Sequence, residues 1–151
     1  MDCRFINWLS EDSNNISKQN IKDLAKLIKD LRKEGIKKIL ITCGTDRMAH
    51  LARDLKDLLK GLGVVVAFAG AITPISHGTE SDGPANLKTG MAFLEKADPD
   101  ICPGVYVAMN KGKDIFIAGK NLRKDINTGI FYGTKMPDAA MNKEFRLSGF
   151  N

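Results

Sequence analysis

Two histidines and three cysteines are scarce soft ligands for a chain of 151 residues. Cys3, Cys43 and Cys102 are odd in number, far apart and without a CxxC pair. This argues against both a disulfide framework and a zinc site, so free thiols are expected and no metal or cofactor is called for. His50 and His77 have no paired-ligand pattern and receive no role. Long apolar runs are also missing: none approaches the ~20 residues that span a bilayer, so the expectation is a soluble protein with no membrane partner. The first residues, "MDCRFINWLSED", carry an acid at the second position and lack both a basic n-region and a small-residue cleavage site. They do not read as a signal peptide, and the expected address is cytoplasmic.

What is present suits one globular domain over residues 1–151, with 43% hydrophobic and 27% charged residues. The net charge of +5 is uneven: residues 1–110 hold 15 bases and 14 acids, whereas residues 111–151 hold 8 bases and 4 acids. A basic tail can attract nucleic acid, but this one lacks closely interleaved aromatics and any binding motif, so a solvated surface is expected and no nucleic-acid partner.

Along the chain, the apolar "CRFINWL" is followed by the polar "SEDSNNISKQN", read as a surface loop ending at a helix cap near Ser17. Ile21, Leu24, Ala25, Ile28 and Leu31 recur at helical spacing, and Gly35 stands where the helix should end. "KKILIT" reads as a buried strand, "DRMAHLARDLKDLLKGLG" as a second amphipathic helix and "VVVAFAGA" as a second buried strand. Unbroken Val and Ile runs suggest strands covered on both faces. A long polar loop precedes a third helix over about Pro84 to Lys96, with proline in its first turn. "GVYVAMN" and "DIFIAG" make two further strands around a turn at "KGK", while the tail from Lys120 shows little periodicity. Alternation of strands and helices predicts an α/β fold: three α/β/α layers with a mostly parallel sheet and a late antiparallel hairpin.

In such a sheet, ligands bind beyond the carboxyl ends of the strands. "CGTD" and "GAITPISHGTESDG" are loops of that kind. Read alone, Thr45 and Asp46 are a helix cap and a solvated neighbour, Lys124 is a surface lysine, and Ser13 is solvated loop. Asp82 and Gly83 read as a helix cap that shapes the site. Cys43, with no histidine beside it in the motif, reads as a buried structural thiol rather than a nucleophile.

Four segments, in order, change that balance. "ITCGTDRMAHLA" resembles the "HGTDTM" signature of the bacterial-type L-asparaginases, closest to the cytosolic type I branch, with Cys43 in place of histidine. "VVVAFAGAITPISHGTESDGPANL" is similar to that family's second signature, a strand, a "TGAxRP" turn and "SDGxxNL", with Ala69 in place of threonine. "PGVYVAMNKGKDIFIAGKNLRK" is like the "GVxVxMNxxxGRxVTK" hairpin, and "LSEDSNNIS" is similar to the "DSSxMT" substrate loop. The resemblance covers roughly residues 12–131 and implies the family's N-terminal domain, flavodoxin-like in its layering.

Residue by residue, it places Thr45, Asp46 and Lys124 on the catalytic Thr-Asp-Lys set. Ser13, with Asn14 beside it, falls on the loop that holds the substrate carboxylate, and Gly44 on the turn whose backbone N–H groups assist. The residue types suit those roles: a partly desolvated lysine can accept a proton from threonine or water, and a carboxylate can pair with the substrate's α-ammonium. The implied reaction is hydrolysis of L-asparagine to L-aspartate and ammonia, with asparagine or aspartate as the small-molecule partner.

The family's "TGGT" turn, whose threonine is usually regarded as the nucleophile, has no counterpart before Ser13, and no second C-terminal domain follows. After "FYG", the stretch "TKMPDAAMNKEFRLSGFN" departs from the family's continuation. The alternative to an enzyme is therefore a catalytically impaired Asp/Asn-binding remnant, or one part of a split asparaginase. A sheet lacking that first strand exposes an edge, so a homo-oligomer or a complementary chain is expected to cover it.

Overall fold

The computed structural model describes residues 3–9 and 12–137. The tail of departing sequence, from residue 138 onward, lies outside the described residues. Among the described residues, three helices and six strands follow in chain order. They are α1 (Lys18–Lys33), β1 (Lys38–Thr42), α2 (Met48–Leu58), β2 (Val65–Ala69), α3 (Gly83–Lys96), β3 (Gly104–Met109), β4 (Asp114–Ile117), β5 (Arg123–Lys124) and β6 (Phe131–Tyr132). Short 3-10 turns occur at Ser13–Asn15 and Ile75–Glu80.

The first helix forms where its punctuation predicts. The Ser17 hydroxyl accepts the Asn20 N–H at 3.0 Å and the Asn20 side chain accepts the Ser17 N–H at 2.9 Å, a reciprocal cap that satisfies two orphan donors. Ile21, Leu24, Ala25, Ile28 and Leu31 make its buried stripe. At the other end Gly35, at φ +90°, donates to Arg32 O and Ile36 donates to Leu31 O, each at 3.0 Å. A side chain at that φ would be strained, which is why the helix stops at glycine.

The sheet has the order β1-β2-β3-β4, with β1, β2 and β3 parallel and β4 returning antiparallel. Alternate residues supply two separate cores, as the two-residue period of a strand requires. Val66, Phe68, Val105, Val107 and Met109 face α1 and α2, whereas Val65, Ala67 and Tyr106 face α3 with Phe93 and Leu94. Both faces are thus covered, and the predicted three-layer α/β/α architecture with its late hairpin is present. The third helix lies close against the sheet at Gly90, where a Cβ would stand 3.1 Å from Leu40 Cδ1 and 3.5 Å from Ala108 Cβ. Among the described residues, no helix is long and apolar enough to cross a membrane.

Several expectations need correction. The first strand is an edge strand, exposed at Lys38 and Thr42 and only half-buried between, because β2 pairs with one side of it alone. The second helix is shorter than its apolar spacing suggested, ending at Leu58. The segment after Lys120, read as aperiodic, contains the antiparallel hairpin β5–β6, with Lys124 opposite Phe131 and Arg123 opposite Tyr132. Its turn is built from Asp125, whose carboxylate accepts the Asn127 and Thr128 N–H groups at 2.8 and 2.9 Å, and Gly129 at φ +73°. Two-residue strands carry no periodicity to read. The Asp-Ile-Asn-Thr-Gly turn between "RK" and "IFY" was the available signal.

Candidate functional site

The loop after β1, Cys43 to Arg47, runs directly into α2 at the carboxyl edge of the parallel strands, where sheet geometry leaves room for a ligand. Gly70, just past β2, packs beneath it: a Cβ there would overlap the Cys43 carbonyl oxygen and lie 2.7 Å from Met48 Cε and 3.3 Å from Thr45 Cγ2. Only glycine leaves room for that approach. Neither Thr45 nor Asp46 caps α2, whose N-cap is Arg47 without a side-chain cap bond. Their polar atoms are thereby left for other partners.

Those partners come from distant parts of the chain. Lys124 Nζ, on β5, donates to Thr45 Oγ1 at 3.0 Å and to Asp46 Oδ1 at 3.1 Å. Asn14 Nδ2 donates to the second oxygen, Asp46 Oδ2, at 3.0 Å. Asp12 in turn accepts the Asn14 N–H at 2.9 Å and so fixes the 3-10 turn that carries Ser13 and Asn14. Ser13 is buried, against the expectation of a solvated loop residue. It lies over Gly44, where a Cβ would come within 3.1 Å of its Oγ, so the bare glycine lets the two loops meet. Arg47 Nη1 donates to Ile16 O at 3.0 Å and ties the same loops from the other side.

All six residues singled out in the sequence, Ser13, Asn14, Gly44, Thr45, Asp46 and Lys124, therefore gather in one place. Thr45 is buried and the Lys124 side chain is 17% exposed, whereas the Asp46 side chain is 59% exposed and faces solvent. Hydrogen bonds from Lys124 and Asn14, with the lysine's positive charge, hold the Asp46 carboxyl below its usual range. Cys43 is half-buried rather than fully buried as expected; the desolvation it does undergo pushes its thiol up to about 12, which argues against a nucleophile. Among the described residues, no group of three or more His, Cys, Asp or Glu side chains could hold a metal ion.

Asp82 stands at the N-cap position of α3, as expected, but its carboxylate is used elsewhere. Its side chain makes no cap bond to α3; it accepts the Ile72 and Thr73 N–H groups at 3.2 and 3.0 Å and Asn86 Nδ2 at 3.0 Å. It folds the loop after β2 back on itself. Asn86, fully buried, also donates to Gly70 O at 2.9 Å and accepts from Gly112 N at 2.8 Å. Arg47, Asp12 and Asn86 were not given roles from the sequence; Asp12 and Asn86 stand at matched positions of the "DSSxMT" and "SDGxxNL" motifs, which was the available signal, whereas Arg47 carries no mark of a long-range partner. Arg53 Nη1, similarly, donates to Leu122 O and so links α2 to the approach of β5.

The sheet order and the edge loops describe a layered α/β domain with a Thr-Lys-Asp cluster beyond the carboxyl ends of its parallel strands, and comparison with known proteins gives the family. Residues 2–134 match the model of the asparaginase N-terminal region. The chain belongs to the asparaginase family. It is 32% identical over 107 residues to the L-asparaginase of Thermococcus kodakarensis, covering 70% of this chain and 30% of that protein. Its fold superposes on the probable cytoplasmic L-asparaginase from Campylobacter jejuni with a TM-score of 0.65 and 32% identity, over 82% of this chain and 37% of the other. The thermostable enzyme from T. kodakarensis gives a TM-score of 0.66 at 25% identity, over 85% and 37%. The chain thus spans about a third of the length of these relatives.

Proposed function

We propose that this chain is an asparaginase-like amidohydrolase domain acting in the cytoplasm, which hydrolyses the side-chain amide of L-asparagine to L-aspartate and ammonia. The observation that carries the reading is the meeting of Lys124 with Thr45 and Asp46, across 79 and 78 residues of sequence and at hydrogen-bond distance. A hydroxyl, an amine and a carboxylate so placed suit proton transfer at an amide carbonyl. Thr45 Oγ1, or a water beside it, attacks the carbonyl carbon, and its proton passes to Lys124 Nζ when that amine is neutral. The proton then goes to the departing nitrogen, which leaves as ammonia; where Thr45 Oγ1 is the attacking atom, a water that gives its proton to Lys124 Nζ then cleaves the resulting ester, releasing aspartate and returning the proton to Thr45.

Asp46 is the group for the substrate's α-ammonium. Its open side accepts a cation from solvent, and a ligand ammonium that takes over this carboxylate leaves Thr45 as the partner of Lys124. Ser13, Asn14 and the backbone at Gly44 hold the substrate's α-carboxylate, with donors of the kind that bind anions. Among the described residues no strand pairs with the outer edge of β1, which supports assembly with a second copy or a complementary chain, since an uncovered edge strand invites pairing.

One observation favours a second reading, binding of asparagine or aspartate without turnover. The Asp46 side is open, so water is not excluded from the reacting centre, and a water-free site is what strengthens catalytic electrostatics.

Ammonia release from L-asparagine, measured beside Thr45→Ala and Lys124→Ala, separates the two. Turnover lost by roughly two orders of magnitude or more in both variants supports the enzyme. No release from the wild type, together with a rise in melting temperature on adding aspartate, supports the binding module. Neither release nor stabilisation refutes both.

A further inference from the structure

The lysine of the site sits on a two-residue strand, which by itself cannot hold a side chain in place: an isolated hairpin is marginally stable at best. What fixes it lies on the other side of the hairpin. In β6, Phe131 is the residue opposite Lys124, and both of its backbone groups go to one side chain. The Phe131 N–H donates to Asn110 Oδ1 at 2.9 Å, and the Phe131 C=O accepts from Asn110 Nδ2 at 2.9 Å. The same Nδ2 also donates to Asp114 Oδ2 at 2.8 Å, at the start of β4. The primary amide thus acts as a strand neighbour for β6, offering one acceptor and one donor at the spacing of a peptide group.

Asn110 has the backbone to match. It follows β3 directly and adopts φ +60°, a left-handed conformation that asparagine tolerates better than most residues. That turn is itself anchored to α3: Gly112 N donates to Asn86 Oδ1, and Gly112 O accepts from Thr89 Oγ1 at 2.8 Å. A continuous path runs from the main sheet through the Asn110 amide to Phe131 and then across one strand pair to Lys124.

We propose that Asn110 is the positioning residue of this site: its side-chain amide docks β6 on the main sheet and thereby sets Lys124 Nζ against Thr45 and Asp46. The assignment of a function to Lys124 rests on the reading above, but the positioning is a matter of geometry and is testable without turnover.

The readout is the titration of Asp46, followed by carbon-13 NMR of its carboxyl group. Asp46 faces Lys124 from β5 and Asn14 from the 3-10 turn, and only the first of these depends on the hairpin. Asn110→Gly suits the left-handed φ and removes only the amide, so it should fold. In that variant the Asp46 midpoint should move up toward the ordinary carboxylate value of about 3.9. Phe93→Leu is the control. It loosens the core on the other face of the sheet, where Phe93 packs on Tyr106, and leaves the Asn110 turn intact. It should lower the melting temperature and leave the Asp46 midpoint where it is. An Asp46 midpoint unchanged in Asn110→Gly, or shifted as much by Phe93→Leu, overturns the proposal. If wild-type ammonia release is detectable, kcat should fall by roughly tenfold or more in Asn110→Gly, as a displaced catalytic group predicts. A wild type without turnover bears on the functional reading alone, since the titration still decides the positioning.

Discussion

Replacing Gly70 by alanine adds one methyl group at the tightest approach in the site. The new Cβ would overlap the Cys43 carbonyl oxygen and come within 2.7 Å of Met48 Cε, where ordinary carbon contacts are about 3.5–4.0 Å. The methionine tip can turn aside, but the carbonyl cannot. Cys43 N already donates to Ala69 O at 3.3 Å, so the end of β1 is held against β2 on the same edge. Relief must therefore come from lifting the Cys43–Asp46 loop by something on the order of 1 Å. Overpacking of this kind costs about 1–3 kcal/mol, offset by about 0.4–1 kcal/mol from the stiffer unfolded chain. A net loss of about 1.3 kcal/mol corresponds to a melting temperature lower by roughly 3–5 °C for a domain of this size. Any turnover should fall by about two orders of magnitude, since Thr45 moves with the loop. Gly119→Ala is the internal comparison: nothing lies within 4 Å of a Cβ there and its φ is not left-handed, so it should be neutral or slightly stabilising. Calorimetry on the two variants decides the matter. If Gly70→Ala melts at or above the wild type while Gly119→Ala behaves as expected, the close-approach reasoning is wrong.

Asn86→Ala should cost about 3 kcal/mol or more in urea unfolding, because it strands Gly70 O, Gly112 N and one Asp82 oxygen in a buried place; a loss below about 1 kcal/mol would count against the network. Cys43 in the folded protein should be alkylated at pH 8 about three orders of magnitude more slowly than in urea, given a thiol pushed up to about 12 against about 8.5 in a free chain; equal rates would refute its burial. Asp46 has a folded pKa below its unfolded one, so its pairing with Lys124 and Asn14 contributes stability above about pH 4 and loses it as pH falls through the folded value. Asp46→Asn should therefore flatten the fall in melting temperature as the pH drops below about 4, and an unchanged slope would exclude the coupling.

How much of this was legible in advance depends on the range of the interaction. The first helix announced itself completely, because its stripe, its Ser17 cap and its Gly35 stop all lie within one stretch of chain. The Val and Ile runs of β2 and β3 correctly implied a sheet covered on both faces. Asp82 was placed at the start of α3, where it stands, but its carboxylate accepts the Ile72 and Thr73 N–H groups of the preceding loop, partners ten and nine residues away that no local pattern marks.

By itself the sequence determined the layered α/β architecture, the order of its elements and, through four ordered motifs, the residue types gathered at the site. Tertiary structure alone decided that β1 lies at the sheet edge, that Ser13 is buried, and that a two-residue hairpin carries Lys124. It also decided that Asn110 docks that hairpin. The physical reason is distance along the chain: periodicity and caps act between residues a few positions apart. Lys124 meets Asp46 across 78 residues, by a register that only the packed sheet can set.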